Sequence, residues 1–266
     1  MFPREHKFKS LVLKERRKKL PNYKVIIESS DNINDFIENI QNVSKRDLRK
    51  IERRTVFLSK TDDWFYYRKN LITSTLVKDV VKAVEKEENR DNINGSITKK
   101  DYYQLYYPAV VYGRQFESVG LDAFVKEFKK SHQEVSIFKH GLKIEESTRI
   151  LGGSIDLRVK CSCHGEYIVE LKCSYKLKDS DNPNWCSLDY ITNDLKLNVN
   201  HPYMYQIQSY LGIYQIPKGL FVVWTPKKSL IIDVKLDEIL WERIKKSAKT
   251  YYYKYYLPEE YPELYE

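Results

Sequence analysis

A pair of extended segments joined by a tight turn constrains the fold of this chain more than any other feature. Apolar and polar residues alternate over 154–159 and 169–173, and Cys163-His164-Gly165 lies between the two segments. We predict a β-hairpin centred near residue 163. This register sets Asp156 directly opposite Glu170, since 156 and 170 average to 163, and directly opposed residues have Cβ atoms ~5 Å apart.

Two carboxylates at that separation repel each other unless something neutralises them. A divalent cation does so, and oxygen ligands from Asp156 and Glu170 suit Mg²⁺, with the Leu171 carbonyl as a backbone ligand. Lys172 shares the face of Glu170 because side chains alternate along a strand. An isolated Glu-x-Lys is most often a surface ion pair; the facing aspartate favours a metal site instead.

A helix over 113–130 adds a third carboxylate. Glu117 is in register with the apolar stripe formed by Gly120, Leu121, Phe124 and Phe128. An unpaired carboxylate on such a stripe is costly. Either Glu117 extends from the edge of the stripe into solvent, or it meets a cation.

A second helix over 202–214, with Pro202 in its first turn, carries Gln206 at the border of its apolar stripe. Gln206 is a candidate for orienting a water or a phosphate. The alternative is an ordinary amide on the helix surface.

The order of elements predicts an α/β fold with a central mixed β-sheet flanked by helices. Helices are predicted at about 45–60, 64–70, 113–130, 202–214 and 236–256; strands at 135–144, 150–160 and 166–173; a hairpin at 220–225 and 229–234; and a loop at 88–96. We assign 1–30 to a basic tail or arm and 31–266 to one domain. Its motifs lie within about 64–235, and a closing helix follows at about 236–256.

The chain is basic, with 46 Lys+Arg against 37 Asp+Glu and a pI of about 9.1. A basic surface concentrates polyanions, which makes nucleic acid a candidate partner. A solvated basic face without a partner is the alternative. The cluster Lys14, Arg16, Arg17, Lys18 and Lys19 is a nuclear address, a DNA-contacting arm or a frayed tail. No apolar run approaches the ~20 residues of a membrane span. The tyrosine-rich runs at 102–107 and 251–256 are expected to pack within the fold.

The four cysteines are too few to staple a chain of this length, which indicates a reduced, intracellular protein, nuclear in a eukaryote and otherwise cytoplasmic. Three metal-ligating residues, Cys161, Cys163 and His164, lie in the predicted hairpin turn. Cys-x-Cys-His is not a usual zinc spacing, so the sequence does not favour zinc there.

Five short motifs, taken in order, resemble the YqaJ viral recombinase family of lambda-exonuclease-like PD-(D/E)xK nucleases. They span about Trp64 to Trp224 and comprise Trp64 and Arg68 with LITS at 71–74, YGRQFE at 112–117, GSID at 153–156, ELKC at 170–173 and YMYQIQ at 203–208. The chain departs from the family pattern at Ile155, Leu157 and Ser174, none of which is a side-chain metal ligand.

The resemblance implies a restriction-endonuclease-like core and phosphodiester hydrolysis with Mg²⁺ or Mn²⁺. By the same resemblance the metal ligands are Asp156, Glu170, Leu171 and Glu117, the other catalytic residues are Lys172 and Gln206, and the DNA-phosphate contacts are Arg68, Thr75 and Ser154. The implied activity is 5′–3′ digestion of duplex DNA from free ends in recombination or repair. A homo-oligomer and a single-strand annealing partner are further implied. A restriction-type endonuclease and a catalytically inactive DNA-binding module are the alternatives.

Overall fold

The computed structural model describes residues 20, 22–86, 91–98 and 107–266. Helices are α1 (Tyr23–Glu28), α2 (Ile33–Gln41), α3 (Lys45–Arg54), α4 (Asp62–Arg68), α5 (Val77–Lys86), α6 (Asp91–Thr98), α7 (Pro108–Ser131), α8 (Pro202–Tyr214), α9 (Glu238–Tyr251) and α10 (Leu257–Glu260). Strands are β1 (Ile72–Thr73), β2 (Ser136–Phe138), β3 (Lys143–Ile144), β4 (Leu151–Gly153), β5 (Leu157–Cys161), β6 (Gly165–Cys173), β7 (Lys218–Trp224) and β8 (Ser229–Lys235). The basic cluster at 14–19 lies outside the described residues. In the described part, no helix has the length and apolar character needed to cross a membrane.

Polar residues begin several helices by accepting hydrogen bonds from otherwise unpaired backbone N–H groups. Asn32 caps α2, Ser44 caps α3, and Asp237 caps α9. The α8 helix starts at Pro202 and ends at Tyr214, which are the predicted bounds.

A five-stranded sheet with the order β2-β5-β6-β7-β8 forms the centre of the fold. Strands β6 and β7 are parallel and their neighbours are antiparallel, so the sheet is mixed, as predicted. In the β5–β6 hairpin, Leu157 pairs with Val169 and Cys161 pairs with Gly165. Both pairs average to residue 163, which confirms the predicted register.

The predicted strand over 150–160 is wrong as one element. Its first part, β4, belongs to a separate three-stranded sheet with β1 and β3, and residues 154–156 bend the chain before β5 begins. The bend follows a closely packed position: a Cβ on Gly153 would come within 2.5 Å of the Ser74 hydroxyl and 2.8 Å of the Tyr210 ring. The predicted strand over 135–144 likewise divides between the two sheets, as β2 and β3.

Long-range packing accounts for the other corrections. The predicted loop over 88–96 contains most of helix α6, whose Ile93 and Ile97 are buried although Gly95 weakens its helix propensity. The predicted helix over 45–60 ends at Arg54. The closing helix ends at Tyr251 and continues as a π-helical turn, Tyr252–Tyr256.

The C-terminal tyrosines pack into the core, as predicted. Tyr251, Tyr252 and Tyr256 are fully buried, and the last two donate hydrogen bonds to Asn70 at 2.8 and 3.0 Å. Asn70, with a positive φ of 61°, joins α4 to β1. The other tyrosine run lies largely outside the described residues, and Tyr107 is exposed.

The two faces of β6 contact different parts of the protein. Val169 and Leu171 pack into a core beneath α7, whereas Ile168 packs into the main core on the side of α8. Helix α1, which falls within the predicted tail, adds Tyr23 and Ile27 to the main core. The division into a tail and one domain over 31–266 stays a prediction.

Candidate active site

Strand β6 directs Glu170 and Lys172 toward α8, which confirms that they share one face of the sheet. The Lys172 ammonium donates to Glu170 Oε1 at 2.6 Å, and only 4% of the Glu170 side chain is exposed. Burial, the largest single effect, lowers the pKa of Lys172, but attraction by Glu170, Tyr203 and Asp156 together holds that pKa above its ordinary value. Lys172 is therefore a cation at neutral pH.

Asp156 ends the bend before β5 and stands next to the Leu157–Val169 pair, beside Glu170. Its Oδ2 accepts a hydrogen bond of 2.8 Å from the Leu171 backbone N–H, which has left the β5–β6 ladder at this point. Burial raises the pKa of Asp156 well above its ordinary value, and the negative charges of Glu170 and Glu117 raise it further. The carboxylates thus form one interacting cluster.

Glu117 belongs to the same cluster from α7. It lies at the exposed end of the stripe that Gly120, Phe124 and Phe128 bury. Crowding by protein atoms partly desolvates the carboxyl and raises its pKa, and repulsion by Glu170 adds to the effect. A cleft of about 550 Å³, here called the acidic cleft, is lined by Arg114, Glu117, Lys172, Cys173 and Tyr203 among others.

Gln206 is buried and hydrogen-bonded to this cluster, so the interpretation as a helix-surface amide is wrong. Its amide nitrogen donates to Glu170 Oε1 at 2.9 Å and to the Tyr210 hydroxyl at 2.8 Å. Lys172 donates to its Oε1 at 3.4 Å. Tyr210, one helical turn after Gln206, is a site residue that the sequence analysis missed.

The donor set fits a hard divalent cation. Glu170 Oε2 is buried and has no hydrogen-bond partner among the residues that the structure describes, although an unsatisfied carboxylate oxygen is costly. The neighbouring negative charge is dense enough to affect Cys173: burial, with Glu117 and Asp156, raises the pKa of its thiol to about 12. Carboxylate oxygens in this arrangement suit Mg²⁺ or Mn²⁺.

A second cleft of about 450 Å³, here called the arginine cleft, brings together the three predicted phosphate-contacting residues, Arg68, Thr75 and Ser154. The Arg68 guanidinium lies 3.7 Å from the centre of the Trp64 ring, whose N–H donates to the Ser154 hydroxyl at 3.1 Å. The Thr73 and Thr75 hydroxyls are 3.2 Å apart. The cleft thus gathers two guanidinium groups, from Arg68 and Arg114, and several hydroxyls.

Arg114 lines both clefts and was also missed by the sequence analysis. Its position in the sequence could have identified it. Arg114 precedes Glu117 by three residues on α7, so the two side chains share one helix face. The catalytic and phosphate-binding roles of all these residues stay predictions.

Comparisons with known proteins identify the family and the fold. The model of the YqaJ-like viral recombinase domain matches residues 63–216. No curated protein sequence matches the chain. Among solved structures, an alkaline exonuclease from Laribacter hongkongensis has a TM-score of 0.55 and 16% identity, over 76% of this chain and 96% of that one. The shutoff and exonuclease protein from Kaposi's sarcoma-associated herpesvirus has a TM-score of 0.54 and 12% identity, over 86% and 75%. These likenesses confirm the restriction-endonuclease-like fold.

Proposed function

Since the chain belongs to the YqaJ-like viral recombinase domain family, we propose that it is a metal-dependent deoxyribonuclease that digests duplex DNA from its ends. The observation that carries the proposal is the unsatisfied, buried Glu170 Oε2 in a cluster with Asp156 and Glu117, beside a charged lysine. A structural ion pair alone would leave no reason for the additional carboxylates.

Asp156 and Glu170 are the proposed metal ligands, with Glu117 and the Leu171 carbonyl completing or supporting the site. When bound, a divalent cation supplies the positive charge that polarises a phosphate and acidifies a water. Lys172, a cation held between Glu170 and Gln206, orients the attacking water and offsets negative charge that develops on the phosphate. Gln206, which donates a hydrogen bond to the Tyr210 hydroxyl, helps to position the attacking water.

The arginine cleft is the proposed site for a terminal 5′ phosphate. Stacking on Trp64 restricts the Arg68 guanidinium, whose fork of N–H donors matches phosphate oxygens. The Ser154 and Thr75 hydroxyls provide further donors, and Arg114 connects this cleft with the acidic cleft. Phosphate contacts carry no sequence information, so little base preference is expected. Recognition of an end distinguishes this proposal from a restriction-type endonuclease.

The chemistry is tested with linear duplex DNA in Mg²⁺, in Mn²⁺ and in a chelator. Lys172→Ala is expected to lower the cleavage rate by about 100-fold. Lys160→Ala is the matched control, because Lys160 lies on the neighbouring strand, is exposed and pairs only with Glu166 among its described partners. Chelator-resistant cleavage, or equal rates for the two variants, would refute the assignment. DNA binding without any cleavage would favour the inactive binding module.

The end dependence is tested with 5′-labelled and 3′-labelled linear DNA and with closed circular DNA. Faster digestion of 5′-phosphorylated than of 5′-hydroxyl ends is expected, and Arg68→Ala should remove the difference. Cleavage of closed circles at the rate of linear DNA would instead favour an endonuclease. A homo-oligomer and a single-strand annealing partner stay predictions of the family resemblance.

A further inference from the structure

A second group of potential metal ligands lies at the opposite end of the β5–β6 hairpin. His132 follows the last residue of α7, Cys161 ends β5, and His164 lies in the turn. One ligand atom from each of the three residues lies within 4.8 Å of the other two. Cys161 is 2% exposed, so its thiol faces the two imidazoles from inside the fold. The sequence analysis missed His132, which is far from the turn in sequence.

The surroundings of His132 prepare its ring for a metal. Its Nδ1 lies 3.0 Å from the Phe128 carbonyl oxygen, and its ring stacks on that of Phe128 at 3.7 Å. The Ser131 hydroxyl also lies 3.1 Å from Nδ1. Because a carbonyl can only accept, the tautomer that bonds to Phe128 has its proton on Nδ1 and leaves the Nε2 lone pair for a metal. Metal-binding histidines are commonly held by such a hydrogen bond from their second nitrogen.

Gln133, the residue after His132, holds the hairpin turn in place. The Ser162 backbone N–H and hydroxyl both donate to the Gln133 carbonyl, at 3.0 and 3.3 Å. Lys218 donates to the His164 carbonyl at 2.9 Å, and the exposed Cys163 lies between Ser162 and His164 in the same turn. The turn is therefore organised without help from a ligand.

We propose that His132, Cys161 and His164 bind Zn²⁺, with Cys163 as the fourth ligand. Two thiolates and two imidazoles are a usual tetrahedral set for zinc, whereas the oxygen cluster at Asp156 suits a harder cation. The sites are distinct, because Cys161 lies five positions after Asp156 along an extended chain, which corresponds to roughly 16 Å. The ion would join the end of the helix that carries Glu117 to the hairpin that carries the other carboxylates.

The proposal is tested by titrating the chelator-stripped, reduced full-length chain with Co²⁺ and then with Zn²⁺. We expect one Co²⁺ per chain with tetrahedral d–d and thiolate charge-transfer absorption, which Zn²⁺ displaces. An ion at the oxygen cluster gives no thiolate absorption, so Asp156→Asn should keep the signal. Bound Zn²⁺ should raise the melting midpoint by about 5–10 °C.

Exposed ligands supply variants that leave the core intact. His164→Asn should abolish the thiolate absorption and Cys163→Ser should weaken Co²⁺ binding at least tenfold, while Cys186→Ser, a cysteine outside the cluster, should change nothing. Absence of thiolate absorption in the wild-type chain, or its full retention in His164→Asn, would overturn the site. A titration unchanged by Cys163→Ser would overturn the fourth ligand. None of these readouts depends on nuclease activity.

Discussion

Asp156→Asn should affect stability and activity in opposite directions. The substitution removes a buried negative charge that Glu170 and Glu117 repel, and it relieves the desolvation that raises the Asp156 pKa. The amide oxygen of asparagine can still accept the hydrogen bond from Leu171 N–H, which is 2.8 Å long in the wild-type chain. The fold therefore loses a repulsion and keeps its backbone contact.

The expected gain is about 1 kcal/mol in the free energy of unfolding of the metal-free chain, which is typical when a destabilising functional residue is replaced. For a domain of this size it corresponds to about 2–4 °C in the melting midpoint. Cleavage should fall by at least about 100-fold, because a charged ligand is lost. Asp181→Asn is the matched control: that aspartate is exposed and pairs with Lys227 at 3.3 Å, so its loss should cost less than about 0.5 kcal/mol.

The effect should depend on pH. The folded pKa of Asp156 lies above its ordinary value of 3.8, so its contribution to stability is lost as pH rises through the folded pKa. Thermal melts in chelator should show a larger difference between Asp156→Asn and wild type at about pH 8 than at about pH 5, and saturating Mg²⁺ should reduce it by stabilising only the wild type. A destabilised Asp156→Asn chain, or a difference independent of pH, would refute the reasoning.

Three further predictions concern packing and positioning. Gly212→Ala should lower the free energy of unfolding by about 1–3 kcal/mol, because the new Cβ would lie 2.2 Å from the Trp241 ring. Gly113→Ala should instead stabilise α7 by about 0.5–1 kcal/mol, because the new Cβ would meet nothing within 4 Å. Equal effects of the two substitutions in thermal melts would contradict this. Tyr210→Phe removes one of the two acceptors of the Gln206 amide and should lower the cleavage rate about 5–10-fold, with the Mg²⁺ dependence unchanged. An unchanged rate would place Tyr210 outside the catalytic machinery.

Local periodicity predicted the elements whose neighbours in sequence are also their neighbours in space. The β5–β6 register follows from alternation on either side of one short turn, and the bounds of α8 follow from Pro202 and its apolar stripe. Alternation of side chains along β6 then placed Glu170 and Lys172 on one face of the sheet. Sequence alone could therefore identify the centre of the candidate site.

The elements that sequence patterns missed depend on contacts between distant residues. Residues 154–156 leave the strand directly after Gly153, which packs closely against Ser74 and Tyr210, and no local pattern records that approach. Helix α6 forms despite Gly95 because its apolar side chains are buried by other parts of the chain. His132 lies beside the hairpin turn, where Ser162 donates hydrogen bonds to the carbonyl of the next residue, Gln133.

The hairpin connects the two proposed metal sites through its register. A slip of one residue would turn every side chain of β5 to the opposite face of the sheet, so Cys161 could not face His132 while Asp156 stays beside Glu170. The same register therefore accounts for both the Cys161–Gly165 pair at the tip and the position of Asp156 at the base. An ion bound at the tip, by tying the turn to the end of α7, would penalise any slipped register and so help keep the carboxylates of α7 and the hairpin together.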